Sequence, residues 1–475
     1  MSDLYEQLCF MDATELARQL KSRALSAVDV MQACLAQIAR INPAVNAICT
    51  IVDHEALLEQ ARAADQRLAS SRDVGPLHGF PHAVKDLVPT AGIRTTFGSP
   101  IYQDYVPADD GLIVRRLKEA GAIIIGKTNT PEFGAGSQTF NAIFGATRNP
   151  YDLTRTCGGS SGGAAVSVAC GMTPLADGSD LGGSLRNPAS FCGVVGFRPS
   201  IGRVPAWPQS QPWTSMSVDG PIARSTRDVA LLMSVLSGPD PRSPVAIDEP
   251  GSVFLGSLYR DFTDVRIAWS RTLGRYPVEP VVTAVCEAAR HLFTDLGCIV
   301  EEDEPDFAGA DEIFQTLRAW AFAQDRGDDF RRHRDLMKDT VVWNTEQGLK
   351  LPGADVAGAE VGRAALYQRV REFLERYEFL VLPVSQVAPF PIDVEWVRAI
   401  NGVTMHTYVD WMATCYAITL TGLPAISVPC GFTPDGLPIG LQIVGRRHRD
   451  VDVLKLAHAF EQRTGLSGRR PPLAG

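Results

Sequence analysis

The sequence predicts an α/β protein, a single α/β/α unit whose central twisted mixed β-sheet is covered by helices. Three observations predict it. Helical periodicity dominates the first 70 residues. From about residue 78 short apolar runs alternate with amphipathic segments, and Gly and Pro punctuate them. The same alternation returns near the C-terminus, so strands and helices interleave at both ends of the chain.

The elements follow in order. Asp12 with Glu15, and Ser26 with Asp29, have the spacing of capping boxes ahead of apolar periodic runs, and predict two helix starts. Asn42-Pro43 is expected to break the second helix. Residues 46–52 form a short apolar run and predict a strand, and 55–68 another helix. Residues 110–120 read as a helix stopped by Gly121, with a strand at once over 122–125. Residues 163–171 continue a glycine-rich stretch as a small-residue helix. Residues 379–382 and 426–428 predict buried strands. The turn Thr433-Pro434-Asp435-Gly436 predicts a hairpin into 438–444, and 450–463 closes the chain as a helix. The middle, 200–370, is less regular and holds Trp207, Trp213, Trp320 and Trp343, which serve equally as cleft walls or as core.

Composition narrows the function classes. The 475 residues, 45% hydrophobic and 21% charged, can bury a substantial core. A net charge of −9 argues against nucleic acid or an anionic membrane as partner. The basic run Arg446, Arg447, His448, Arg449 reads as a solvated loop before a helix. No stretch reaches the roughly 18 apolar residues of a membrane span, and the N-terminus has neither the basic nor the apolar region of a signal peptide. Ten cysteines lack CxxC spacing; Cys34, Cys49, Cys170 and Cys415 read as small core residues, and a reduced cytoplasm is expected. Eight histidines show no ligand spacing, so neither a metal nor another cofactor is expected.

The chemistry centres on residues 158–163, GGSSGG. A linker, a phosphate cradle and a turn that presents a hydroxyl all look like this. A linker would not run straight into a helix. A formal phosphate-loop match lies elsewhere, from Gly121 through Gly126, Lys127 and Thr128. Its loop positions are Ala and three Ile, which favour a strand whose N–H groups are committed to a ladder, and GGSSGG itself lacks the lysine. GxSxG occurs on both Ser160 and Ser161, but the polar residues before it do not make the apolar strand of a nucleophile elbow. A second serine, Ser184, follows Gly182 and Gly183, where successive free N–H groups can converge on an oxyanion. Lys85 follows the apolar Gly79-Phe80-Pro81, and burial would lower its pKa into the range of a base. The residues alone thus give a Ser/Ser/Lys candidate; glycine-serine turns and a surface Lys85–Asp86 pair remain the plain alternatives.

These motifs together resemble the amidase signature family of serine hydrolases. The match comprises Gly158 to Gly163, Gly178 to Ala189, and Gly193 to Ser200, with 24 positions from Ser160 to Ser184 and Lys85 between Val84 and Asp86. It extends to Gly126 through Glu132 and to Thr421 through Gly431. Arg198, where the family more often has lysine, is a departure outside the catalytic set. The resemblance implies a nucleophile Ser184, a base Lys85 that works neutral, and a relay Ser160 preceded by a cis peptide. It implies an oxyanion hole from the N–H groups of Leu181, Gly182, Gly183 and Ser184, and substrate contact at Gly134 and Ser160. Ser179 and Asp180 are implied as supports, and Arg186 as a loop anchor of unnamed partner. Ser161 is expected to be structural only.

The resemblance divides the chain into a helical part (1–70), a signature core (78–200), a variable cleft region (200–370) and C-terminal strands and helix (371–475). It implies hydrolysis of small-molecule amides. With no strongly basic patch in 200–370, a neutral or aromatic amide is expected over a highly anionic one, aryl acylamides first, with esters or carbamates (urethanes) open to the same acyl-enzyme route. The alternative it carries is the amidase component of a glutamine-dependent tRNA amidotransferase; a nucleotide-binding protein is the third reading. Neither nucleic acid nor membrane is an expected partner, and a homodimer is left open.

Overall fold

The computed structural model describes residues 3–71 and 73–474; Met1, Ser2, Arg72 and Gly475 lie outside the described residues. Its main sheet has eight strands. In spatial order they are Ile299–Glu302, Arg266–Trp269, Phe379–Pro383, Pro438–Gly445, Ala425–Phe432, Val195–Arg198, Val218–Ala223 and Leu175–Asp180. The first three run parallel and all later neighbours antiparallel, so the sheet is mixed.

Strand alternation shows both faces to be covered. Every residue of Phe379–Pro383 and of Pro438–Gly445 is buried. Phe379 and Val381 join one hydrophobic core with Ile267, Trp269 and Ile443. Leu380 and Leu382 point the other way, into a second core with Ala268, Val444, Trp411 and Tyr416. This is the α/β/α arrangement expected. The middle segment looks irregular in sequence, yet it supplies two of the strands, Arg266–Trp269 and Ile299–Glu302. Their charged residues, Arg266 and, on the edge strand, Glu301 and Glu302, obscure the pattern.

Three more strands form a separate small sheet: Ile48–Ile51 antiparallel to Ile123–Thr128, which runs parallel to Pro81–Lys85. It does not merge with the main sheet. At the junction the Asp177 carboxylate, on the edge strand Leu175–Asp180, accepts from the backbone N–H of Lys85 and bonds His82 Nε2 at 2.9 Å.

Local starts and stops differ in two places from the sequence reading. Ser26 and Asp29 form the capping box, but Asp12 makes no side-chain cap. Asp228, from a distant helix, accepts from Thr14 N instead, and Glu15 is held by Arg18 and Gln19. Nor does Pro43 break the helix, which runs Ala27–Val45 and ends at Asn46 with φ 53°. Asn42 Oδ1 accepts from Ala47 and Ile48, so the turn around the proline is held by a side chain. Among the described residues no helix is long and apolar enough to cross a membrane, and all ten cysteines are free. Cys34, Cys170 and Cys415 are buried and Cys49 half-buried. The basic run at 446–449 is exposed.

Candidate active site

Lys85 ends the fully buried strand Pro81–Lys85. Its Nζ lies 2.8 Å from Ser160 Oγ, 2.9 Å from Ser161 Oγ and 3.0 Å from Ser179 Oγ. Burial pushes the ammonium down to about 7, against Asp219, Asp177 and Asp180, which favour the charged form. A neutral amine has two N–H donors and one lone pair, so three hydroxyls saturate it if one of them donates. Ser161 Oγ already donates to Ser179 O at 3.4 Å, so it accepts from Lys85. The lone pair is left to Ser160 or Ser179.

The serines are placed by two loops that meet over a short helix. Ser160 and Ser161 precede the helix Gly162–Ala169, in which every residue is buried. The Gly159–Ser160 peptide is cis, as the resemblance implies. Ser137 Oγ donates to Gly159 O at 2.6 Å and Thr139 Oγ1 to Gly158 O at 2.9 Å, fixing the carbonyls on either side of Gly159. Ser184 lies between the edge strand Leu175–Asp180 and the helix Arg186–Cys192, and its carbonyl accepts from Ser161 N.

Asp180 organises the Ser184 loop. Its carboxylate accepts from Gly183 N at 2.9 Å and Leu185 N at 3.1 Å, and is held by Arg186 Nη2 at 2.9 Å and Arg198 Nη1 at 3.2 Å. Burial alone would raise its pKa, but the two guanidinium groups outweigh burial and hold it well below the usual carboxylate range. The partners of Arg186 are therefore Asp180, Cys415 O, Gln442 and Thr419. Arg198 also reaches Asp180 O and Met216 O, so the departure from lysine falls on the same network. Because Gly183 N–H is taken by Asp180, the unpaired donors of this loop among the described residues are the N–H groups of Leu181, Gly182 and Ser184.

Lys85, Gly134, Ser160, Ser179, Leu181, Gly182 and Ser184 line one cavity of about 1220 Å³. Trp207, Trp213 and Trp320 share its walls, while Trp343 stands outside and packs edge-on against Tyr408. Asp219, paired with Ser179 in the sheet register, lines it too. Burial raises its carboxyl to about 7, Asp177 adding to the shift and Lys85 opposing it. Sequence reasoning missed Asp219, Asp177, Ser137 and Thr139, and gave Ser161 no contact with the base. Only strand register or a turn-to-turn contact brings the first four to the site.

The phosphate-loop match is a strand, Ile123–Thr128. Lys127 is buried, bonded to Val88 O and Thr90 Oγ1, and pushed down to about 8 by burial, with Asp86 opposing. Nothing there is free to hold a phosphate. Among the described residues no group of three or more metal-ligating side chains comes together.

Against known families, residues 29–454 match the amidase family model. The chain belongs to the amidase family. It is 34% identical to an acylamidase of Rhodococcus erythropolis over 98% of either chain. It is 35% identical to the A subunit of the glutamyl-tRNA(Gln) amidotransferase of Carboxydothermus hydrogenoformans, over 98% of this chain and all of that one. Among solved structures it is similar to a bacterial aryl acylamidase of the amidase signature family, with TM-score 0.89, 28% identity and coverage of 97% and 99%. A 6-aminohexanoate cyclic dimer hydrolase matches with TM-score 0.89 at 27% identity over the full length of both. As a member of this family the chain is an amidohydrolase acting on carbon–nitrogen bonds.

Proposed function

We propose that Ser184, Ser160 and Lys85 hydrolyse small amides, aryl acylamides foremost, through an acyl-enzyme. The observation that carries this reading is the amine of Lys85 meeting Ser160, Ser161 and Ser179 in the wall of the cavity that holds Ser184. Ser184 Oγ attacks the amide carbonyl while its proton passes to Ser160, whose own proton passes to neutral Lys85. The oxyanion forms against the N–H groups of Leu181, Gly182 and Ser184, with Gly183 tied back by Asp180. On collapse the carbon–nitrogen bond breaks, and the proton returns from Lys85 through Ser160 to the leaving amine. Water then repeats the sequence on the acyl-enzyme and frees the acid. Gly134 supports the acyl side: a Cβ there would come 3.4 Å from Ser160 Oγ, so the missing side chain leaves room beside the relay.

The purified chain, without ATP or a second protein, is expected to release aniline from acetanilides. Ser184→Ala is expected to lower kcat by about 10⁴-fold or more. Wild-type-like turnover in that variant would remove Ser184 from its role. The second reading, a component of a glutamine-dependent amidotransferase, is favoured by the likeness to the amidotransferase of Carboxydothermus hydrogenoformans. It predicts glutamine as the preferred substrate and poor turnover of anilides. A panel of anilides, aliphatic amides, glutamine, esters and carbamates separates the two.

A further inference from the structure

Five arginines of the described chain are buried: Arg186, Arg198, Arg203, Arg224 and Arg318. Arg186 and Arg198 share Asp180; Arg203 has Asp450 and Glu249; Arg224 faces Asp228. Arg224 donates to the carbonyls of Val168 and Met11 and forms no ion pair among the described residues, but it lies outside the cavity; Arg318 alone of the five lines it. Arg318 is 4% exposed and likewise forms no ion pair among the described residues. Its Nη1 donates to Asn344 Oδ1, and its guanidinium lies over the rings of Phe322 at 4.5 Å and Tyr408 at 5.0 Å. Asn344 is locked in that orientation, its Nδ2 donating to Thr340 O and to the Tyr408 hydroxyl. A guanidinium withdrawn from water this far, with two rings, the Asn344 amide and the Tyr408 hydroxyl as neighbours, has neutral partners but no counter-ion.

We propose that Arg318 binds a carboxylate of the substrate, so that the amides this cleft prefers are anionic. The inference rests on the amide-hydrolase reading of the same cavity and names its substrate class. Arg318 lies one helical turn beyond Phe314 on Ala310–His333, about 6 Å along the axis. Phe314 reaches to 3.1 Å from where a Cβ on Gly182 would be, beside the reacting serine. A carboxylate on Arg318 therefore sits at the far end of a substrate whose carbonyl is at Ser184. The cavity's other arginines are occupied: Arg326 stacks on Phe133 and pairs with Asp329, and Arg363 donates to the carbonyls of Leu420 and Ser215. One planar fork with no acidic partner suits a monoanionic carboxylate. Asp325 and Glu360 in the same walls disfavour a dianion such as phosphate.

The probes are 4-acetamidobenzoate, with the carboxylate on the amine side, N-phenylsuccinamate, with it on the acyl side, and neutral 4′-methylacetanilide. For wild type, kcat/KM on at least one carboxylate probe is expected to exceed the neutral probe by about tenfold or more, mainly through KM. Arg318→Met is expected to collapse that ratio towards one, and Arg318→Lys to keep part of it. A wild-type ratio at or below one, or the same ratio in Arg318→Met, overturns the proposal. Calorimetric binding of the same compounds to Ser184→Ala, with and without Arg318→Met, asks the question without turnover. Carboxylate-selective binding that Arg318→Met abolishes supports the proposal even if no probe is hydrolysed, a result that would instead refute the amidase reading. Binding indifferent to the carboxylate, beside turnover of the neutral anilide, refutes Arg318 alone. Should Arg318→Met not fold, Arg318→Gln, which also removes the charge, decides by the same ratio.

Discussion

In the proposed mechanism Lys85 serves as a base because the fold withholds water from it. If its neutral form is the base, kcat/KM should rise as pH increases through about 7 and fall below that. Asp219 favours the ammonium, so Asp219→Asn should let Lys85 lose its proton more readily and move the acidic limb to lower pH. Asp219 itself is raised to about 7, so in the wild type the limb belongs to the pair, and the variant should titrate as one group. A pH–rate profile of Asp219→Asn that overlies the wild type would show that Asp219 does not act on the base. The sequence carried Lys85, Ser160 and Ser184 because they sit inside compact motifs. Asp219 lies in no motif; it reaches the site by pairing with Ser179 across two strands 40 positions apart.

Elements explain why the glycines are there. Of the four glycines in the run 158–163 only Gly158 takes a left-handed φ, +74°. Gly162 and Gly163 are glycines for want of space. A Cβ on Gly163 would lie 2.4 Å from Ala47 O and from Asn129 N, both backbone atoms bordering the small sheet. Gly163→Ala should therefore destabilise by about 3 kcal/mol or more, and thermal denaturation should show the drop in Tm. An unchanged Tm would mean that the helix Gly162–Ala169 can slide. The loop from Asp180 to Arg186 makes a second case. Asp180→Asn leaves Arg186 and Arg198 buried without their counter-charge, and should cost about 3–5 kcal/mol in urea unfolding while lowering kcat. Retained activity would mean that Gly183 and Leu185 do not need the carboxylate. The glycine spacing was visible in the sequence; which atoms crowd it depends on a helix meeting a strand from another part of the chain.

Across the whole molecule the cavity draws chiefly on three distant stretches, residues 85 to 184, a stretch from 206 to 219, and one face of Ala310–His333, with Glu360, Arg363 and Met412 added from later in the chain. The first stretch was readable because its motifs are local and its strands alternate. The other two were not. The second has no period, and the long helix looks like any amphipathic helix until its partners are known. The tryptophans of the middle segment show the limit, since Trp207, Trp213 and Trp320 face the cavity, Trp343 does not, and Trp269 is buried in the core.

Trp213 is 76% exposed and stands in the wall of the cleft. An aromatic guest that settles against it must strip water from an indole that is otherwise wet. The protein thus carries its own optical gauge of occupancy. Adding an anilide to Ser184→Ala should shift and quench tryptophan emission, and Trp213→Phe should remove most of that signal. An undiminished signal would place the guest elsewhere in the cavity.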